Sequence, residues 1–126
     1  MHGTSHRRQA ATAAVAVAAA LWNRRRLGQK EIAPDAKLSH AADFLSMATG
    51  AAPDSPKAAA LDAYLVTVSD HGMNASTFTA RVVASTGSDL VSAVVAGIGA
   101  LKGPLHGGAP GPVLDMLDAI GQPENA

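Results

Sequence analysis

The chain has 126 residues, 48% of them apolar and 3% aromatic, and its ten basic and ten acidic residues cancel. That length suits one modest core, and a balanced charge provides no field to attract nucleic acid or an anionic membrane. The absence of cysteine excludes disulfides and thiolate chemistry, and it fits a reducing compartment such as the cytoplasm.

The first element is an alanine-rich segment that predicts a helix. Residues 1–9 are polar and are expected to form a disordered start, before a partial helical domain over residues 10–126. The apolar run from Ala10 to Trp22 is too short to span a bilayer, and no small-residue cleavage site follows it. We therefore predict a buried helix with arginines in its last turn and a stop at Gly28. A secreted or anchored peptide is the alternative.

Two more helices are predicted in the first half of the chain. Ser39 is a candidate N-cap for a short helix that stops at Gly50. Ser55 is a candidate cap for the next helix, with Pro56 in its first turn. Apolar residues recur in that helix at the spacing of a face directed at a core. They are Leu61, Tyr64, Leu65 and Val68.

The second half of the chain predicts three further helices. Asn74 is a candidate N-cap for a helix that ends at Gly87, and Ser88 opens the next one. A last amphipathic helix over residues 113–120 closes at Gly121. The helix after Ser88 carries an apolar stripe made of Leu90, Val94, Ile98 and Leu101. No stretch alternates with period two, so the predicted class is all-α.

Three histidines lie at breaks between the predicted helices: His40, His71 and His106. Helix ends can converge on one cleft, where imidazoles can act as hydrogen-bond donors or acids on a carbonyl substrate. No two of these histidines have the i, i+4 spacing of a helical zinc site, so no metal is predicted. His71 lies close before the N-cap Asn74, where the helix dipole favours a neutral ring that could stabilise an enolate.

Two segments around these histidines resemble the citrate synthase family. DHGMNASTFTARVVAST, residues 70–86, contains D-H-x-x-N-x-S, and GALKGPLHGGA, residues 99–109, contains G-P-x-H-G-G-A. Upstream, APDAKLSHAADFLSMATG is similar to the family segment that carries a third substrate-binding histidine. Two linked motifs are more specific than either alone, and the resemblance covers residues 10–121.

The resemblance implies an all-α, multi-helix citrate synthase-like fold, incomplete here, and a cytoplasmic homodimer in full-length relatives. The resemblance also implies the family's reaction, a step of the tricarboxylic acid cycle that joins acetyl-CoA to oxaloacetate without a cofactor. By resemblance His71 donates to the enolate, His106 polarises the oxaloacetate carbonyl, and His40 and Asn74 bind substrate. The loop that borders the CoA site would comprise Lys102, Gly103, Pro104, Leu105, Gly107 and Gly108.

The chain also departs from the family pattern. Gly72 stands where many members have glutamate, and Pro110 where many have asparagine. Either departure fits a 2-methylcitrate synthase that uses propionyl-CoA. The family's aspartate base and carboxylate-binding arginines have no match here, since Asp115 and Asp118 lie outside any family motif. We therefore expect a fragment that is inactive alone; a non-enzymatic helical remnant or interaction module is the alternative.

Overall fold

A computed structural model describes residues 3–52, 54–70, 72–108 and 110–125. These residues form six α-helices and a closing 3₁₀ turn, with no β-strand among them, which confirms the all-α prediction. The helices are α1 (Gly3–Arg26), α2 (His40–Thr49), α3 (Ser55–Val68), α4 (Ala75–Ser85), α5 (Leu90–Leu101) and α6 (Pro110–Ile120), and the turn covers Pro123–Asn125. The chain divides into two compact units, residues 1–71 and 72–126.

Helix α1 is longer than the sequence predicted, because it begins at Gly3 within the expected disordered start. Once the alanine-rich stretch has nucleated a helix, each further residue adds a hydrogen bond, so the polar residues before Ala10 extend it. The predicted stop is confirmed: Gly28 has a φ of 65° and its N–H donates to the carbonyl of Arg25. The N–H of Gln29 donates to the carbonyl of Arg24, which completes a Schellman motif.

In the first unit α2 packs against both α1 and α3. Its core consists mainly of small side chains, with Ala20, Ala41 and Met47 almost completely buried. The predicted core face of α3 is only partly realised. Leu61 and Leu65 are half-buried, whereas the other members of that face, Tyr64 and Val68, are exposed.

Three helix caps test the sequence reading directly. Ser39 caps α2 as predicted, since its Oγ accepts from the N–H of Ala42 at 3.4 Å. Ser55 is instead the first residue of α3, because Asp54 provides the extended N-cap residue. The N-cap of α5 is Asp89 rather than Ser88, and its carboxylate accepts from both the N–H and the hydroxyl of Ser92. The N-cap is thus an aspartate next to the predicted serine in both cases: Asp54 precedes Ser55, and Asp89 follows Ser88.

In the second unit α4 packs against α5 through small residues. A Cβ placed on Gly97 would lie 3.4 Å from both the Cβ of Ala80 and the carbonyl oxygen of Ser76. Ala93 is the buried side chain of α5, whereas the predicted stripe lies half-exposed to exposed. Helix α6 starts three residues before its predicted start, since its two prolines occupy the first turn, where a missing N–H costs nothing.

Candidate functional site

The segment after α5 folds back on itself as a tight loop. Gly103 organises it, because its carbonyl accepts from the N–H of His106 at 3.0 Å and from that of Gly107 at 3.1 Å. Lys102 closes the helix, with its N–H donating to the carbonyl of Ile98. The histidine therefore lies on a bend that is stabilised by backbone hydrogen bonds.

The two glycines after His106 are required by close backbone approach. A Cβ on Gly107 would lie 2.1 Å from the carbonyl oxygen of Leu101, and a Cβ on Gly108 would lie 2.7 Å from that of Pro104. Neither distance is compatible with a side chain, because carbonyl oxygens of the backbone cannot move away freely. Both glycines are thus needed for the shape of the loop.

An open groove of about 420 Å³ runs along this loop and the end of α5. Four of the predicted CoA-border residues line it, together with Ile98 and Leu101: they are Lys102, Pro104, Gly107 and Gly108. Leu105 is fully exposed, and the carbonyl of Gly103 accepts two of the loop's backbone hydrogen bonds. A cationic side chain at the edge of a largely apolar groove is chemically suited to a ligand with apolar and anionic parts.

His106 is linked to the start of α4 by a chain of hydrogen bonds. Its Nε2 lies 3.0 Å from the Oγ of Ser76, and that hydroxyl lies 2.8 Å from the Oδ1 of Asn74. The same Oδ1 accepts from the N–H of Thr77 at 2.9 Å, which confirms Asn74 as the N-cap of α4. All of these side chains are half-buried. The second histidine motif therefore contacts the serine of the first motif and is linked through it to the asparagine.

Ser76 is the site residue that the sequence reasoning missed. It is the final residue of D-H-x-x-N-x-S, so the motif itself contained the signal. The substrate-binding role of Asn74 stays a prediction, since its side chain is already bonded as a helix cap. His71, the other predicted catalytic histidine, lies outside the described residues.

His40 belongs to the first unit, where it is the first residue of α2. Its side chain is exposed, and it borders an apolar pocket of about 280 Å³ between α1, α2 and α3. The other lining residues are Thr12, Val15, Ala16, Ala19, Phe44, Leu61 and Leu65. Its predicted contact with oxaloacetate stays a prediction, as does the convergence of the three histidines.

Two further features concern charge and polarity in the described part of the chain. Hydrogen bonds from the hydroxyl and the N–H of Ser92 lower the pKa of Asp89 below its ordinary value. No cluster of three or more metal-ligating side chains occurs in the described ranges. Likewise, none of the helices there is long and apolar enough to cross a membrane.

Comparison with known proteins identifies the relatives of this chain. The family model for the citrate synthase C-terminal domain matches residues 2–126. A citrate synthase of Deinococcus radiodurans is 54% identical over 104 residues, covering 82% of this chain and 28% of the relative. A 2-methylcitrate synthase of Mycobacterium tuberculosis is 48% identical over 103 residues, covering 82% and 26%.

A solved structure shows the same fold. The crystal structure of citrate synthase from Pyrobaculum aerophilum matches with a TM-score of 0.79 and 45% identity, covering 86% of this chain and 27% of that one. The chain thus spans about a quarter of the length of the relatives it matches. Since the family model matches nearly every residue, this chain belongs to the citrate synthase family.

Proposed function

We propose that this chain carries the histidine-bearing part of a citrate synthase-type site, which joins acetyl-CoA to oxaloacetate and releases citrate and CoA. The observation that carries the proposal is the hydrogen-bonded link from His106 through Ser76 to Asn74, which joins the two family motifs. Membership of the family supports the same reaction class. The enzyme would act without a cofactor, in the cytoplasm and as a homodimer.

Each histidine has a separate role in this proposal. The methyl group of a thioester is a weak carbon acid, so a preorganised donor at the enolate oxygen lowers the barrier, and His71 would be that donor. His106 would bind the oxaloacetate carbonyl and make its carbon more electrophilic, while His40 and Asn74 contact the substrate. The backbone hydrogen bonds of the loop around His106 support this assignment, because polarising a carbonyl requires a donor that is held in position.

The proposed reaction also calls for a base that takes a proton from the acetyl methyl group. The chain spans about a quarter of its relatives' length. The family resemblance assigns the catalytic aspartate to none of the residues of this chain. We therefore expect the isolated chain to produce no citrate. A transplant tests its chemistry instead: these residues replace the matching segment of the Deinococcus radiodurans citrate synthase.

The expected result is an active chimera that releases CoA from acetyl-CoA when oxaloacetate is present. The variant His106→Ala should lower its kcat by about 10²–10³-fold, the usual cost of removing one oxyanion-type donor. His6→Ala is the matched control, since His6 is an exposed residue of α1 and should leave kcat unchanged. An inactive chimera, or one that His106→Ala leaves unaffected, would contradict the proposal and favour a non-enzymatic interaction module.

A second candidate is 2-methylcitrate synthesis from propionyl-CoA. It is favoured by the 48% identity to the Mycobacterium tuberculosis 2-methylcitrate synthase and by the departures at Gly72 and Pro110. The chimera separates the two candidates through the ratio of kcat/KM for propionyl-CoA and acetyl-CoA. A rise in that ratio above that of the parent enzyme would indicate the propionyl substrate.

A further inference from the structure

The hydroxyl hydrogen of Ser76 has one available orientation. The backbone N–H of Thr77 lies 2.9 Å from the Oδ1 of Asn74 and can only donate, so this atom is the amide oxygen. The Oγ of Ser76 lies 2.8 Å from the same oxygen. Since a carbonyl oxygen only accepts, the single hydrogen of Ser76 must point at Asn74.

His106 is the second neighbour of that hydroxyl. Its Nε2 lies 3.0 Å from the Oγ of Ser76, which has only lone pairs left to offer. The ring must therefore carry a hydrogen on Nε2 and donate it. Within the described ranges no hydrogen bond reaches the Nδ1 of His106, so that atom remains for a ligand.

We propose that Ser76 is a positioning residue that keeps a proton on the Nε2 of His106 and leaves Nδ1 to face the substrate. The consequence for catalysis rests on the function proposed above. In the neutral ring Nδ1 is then an acceptor, so His106 can donate to the oxaloacetate carbonyl only as imidazolium. A doubly protonated ring is a stronger donor to that oxygen than a neutral one.

One proton moves from His106 to the substrate in the proposed step. As the carbon–carbon bond forms, the π-electron pair of the carbonyl moves to its oxygen, which takes the proton from Nδ1. The imidazolium becomes the neutral ring with its hydrogen still on Nε2. Ser76 accepts the same hydrogen bond before and after the transfer, so the ring does not have to reorient.

Nuclear magnetic resonance of the ¹⁵N-labelled chain tests the proton position without any substrate. Long-range correlations within the imidazole identify its tautomer, and a spectrum of His106→Ala assigns the ring. We expect neutral His106 to carry its hydrogen on Nε2. Ser76→Ala should speed exchange of that hydrogen with water by about two- to tenfold, the worth of one typical hydrogen bond.

Ser76→Thr is the matched control, because it keeps the hydroxyl and should keep the slow exchange. A wild-type ring with its hydrogen on Nδ1 would overturn the proposal, as would an exchange rate that Ser76→Ala leaves unchanged. If Ser76→Ala fails to fold, two measurements still test the proposal: the tautomer of His106 in the wild type, and the exchange rate of its Nε2 hydrogen in Ser76→Thr.

The chimeric enzyme tests the consequence for catalysis. Ser76→Ala should lower its kcat by about two- to tenfold, and Ser76→Thr should restore it. An inactive chimera with His106 protonated on Nε2 and protected from exchange would contradict the proposed function and leave the positioning role supported. An active chimera with the other tautomer would contradict the positioning role alone.

Discussion

Replacing Gly107 by alanine should destabilise the second unit by forcing the loop around His106 to move. The added Cβ would lie 2.1 Å from the carbonyl oxygen of Leu101 and 3.1 Å from its carbonyl carbon. Both are backbone atoms at the end of α5, so relief requires a shift of the loop rather than a rotamer change. Overpacking of this kind costs about 1–3 kcal/mol.

Gly99→Ala provides the matched control in the last turn of α5. A Cβ on Gly99 meets nothing within 4 Å, so alanine there should raise the free energy of unfolding by about 0.5–1 kcal/mol. The free energies of unfolding of the two variants should therefore differ by about 1.5–4 kcal/mol, although each variant replaces one glycine by alanine.

Urea denaturation followed by circular dichroism measures both variants under the same conditions. In the chimeric enzyme Gly107→Ala should also lower kcat, because His106 would move with the loop. A Gly107→Ala variant at least as stable as Gly99→Ala would refute the argument. It would mean that the loop does not approach the end of α5 as closely as the structure indicates.

Individual contacts of Asn74, Gly50 and Asp89 can each be tested by substitution. Asn74→Ala should lower the free energy of unfolding by about 1 kcal/mol in urea denaturation, because the N–H of Thr77 loses its acceptor. Asn74→Asp keeps an acceptor oxygen and should retain most of that stability. Equal losses in the two variants would contradict the capping role. Gly50→Ala should lower the free energy of unfolding more than Gly28→Ala does. Both glycines have a positive φ, of 78° and 65°, but only a Cβ on Gly50 would meet another side chain, at 2.8 Å from the Nη1 of Arg24. Arg24→Ala in the Gly50→Ala background should remove that excess, and a double-mutant cycle without coupling would argue against the contact. The lowered pKa of Asp89 means that its stabilising charge is fully present above the ordinary value of 3.8 and is lost as the pH falls through the folded-state value. Unfolding measured against pH should therefore show a smaller acid-induced loss for Asp89→Asn, and identical profiles would contradict this.

Local chemistry explains why most helix boundaries could be predicted from the sequence. Ser39 and Asn74 cap their helices because a short polar side chain reaches the N–H three residues ahead. Gly28 and Gly50 end helices because the chain there needs a positive φ. Such rules need only neighbouring residues, and they failed where two candidates compete, as at Asp89 beside Ser88.

The faces of the helices were harder to predict, because burial depends on which partner each face meets. The periodicity in α3 indicated one continuous core face, yet Tyr64 is 59% exposed. In α5 the buried residue is Ala93, because close packing against α4 favours small side chains over the larger apolar ones. Spacing alone identifies an apolar face but not its contacts.

The sequence by itself determined the all-α class, the caps at Ser39 and Asn74 and the glycine-rich bend that carries His106, since each depends on residues close along the chain. Only the tertiary structure decided that His106 bonds to Ser76, 30 residues earlier. That contact exists because Gly97 lets α5 approach α4 closely enough to bring the following loop to the α4 N-terminus. A hydrogen bond between distant residues depends on helix packing, which no local pattern specifies.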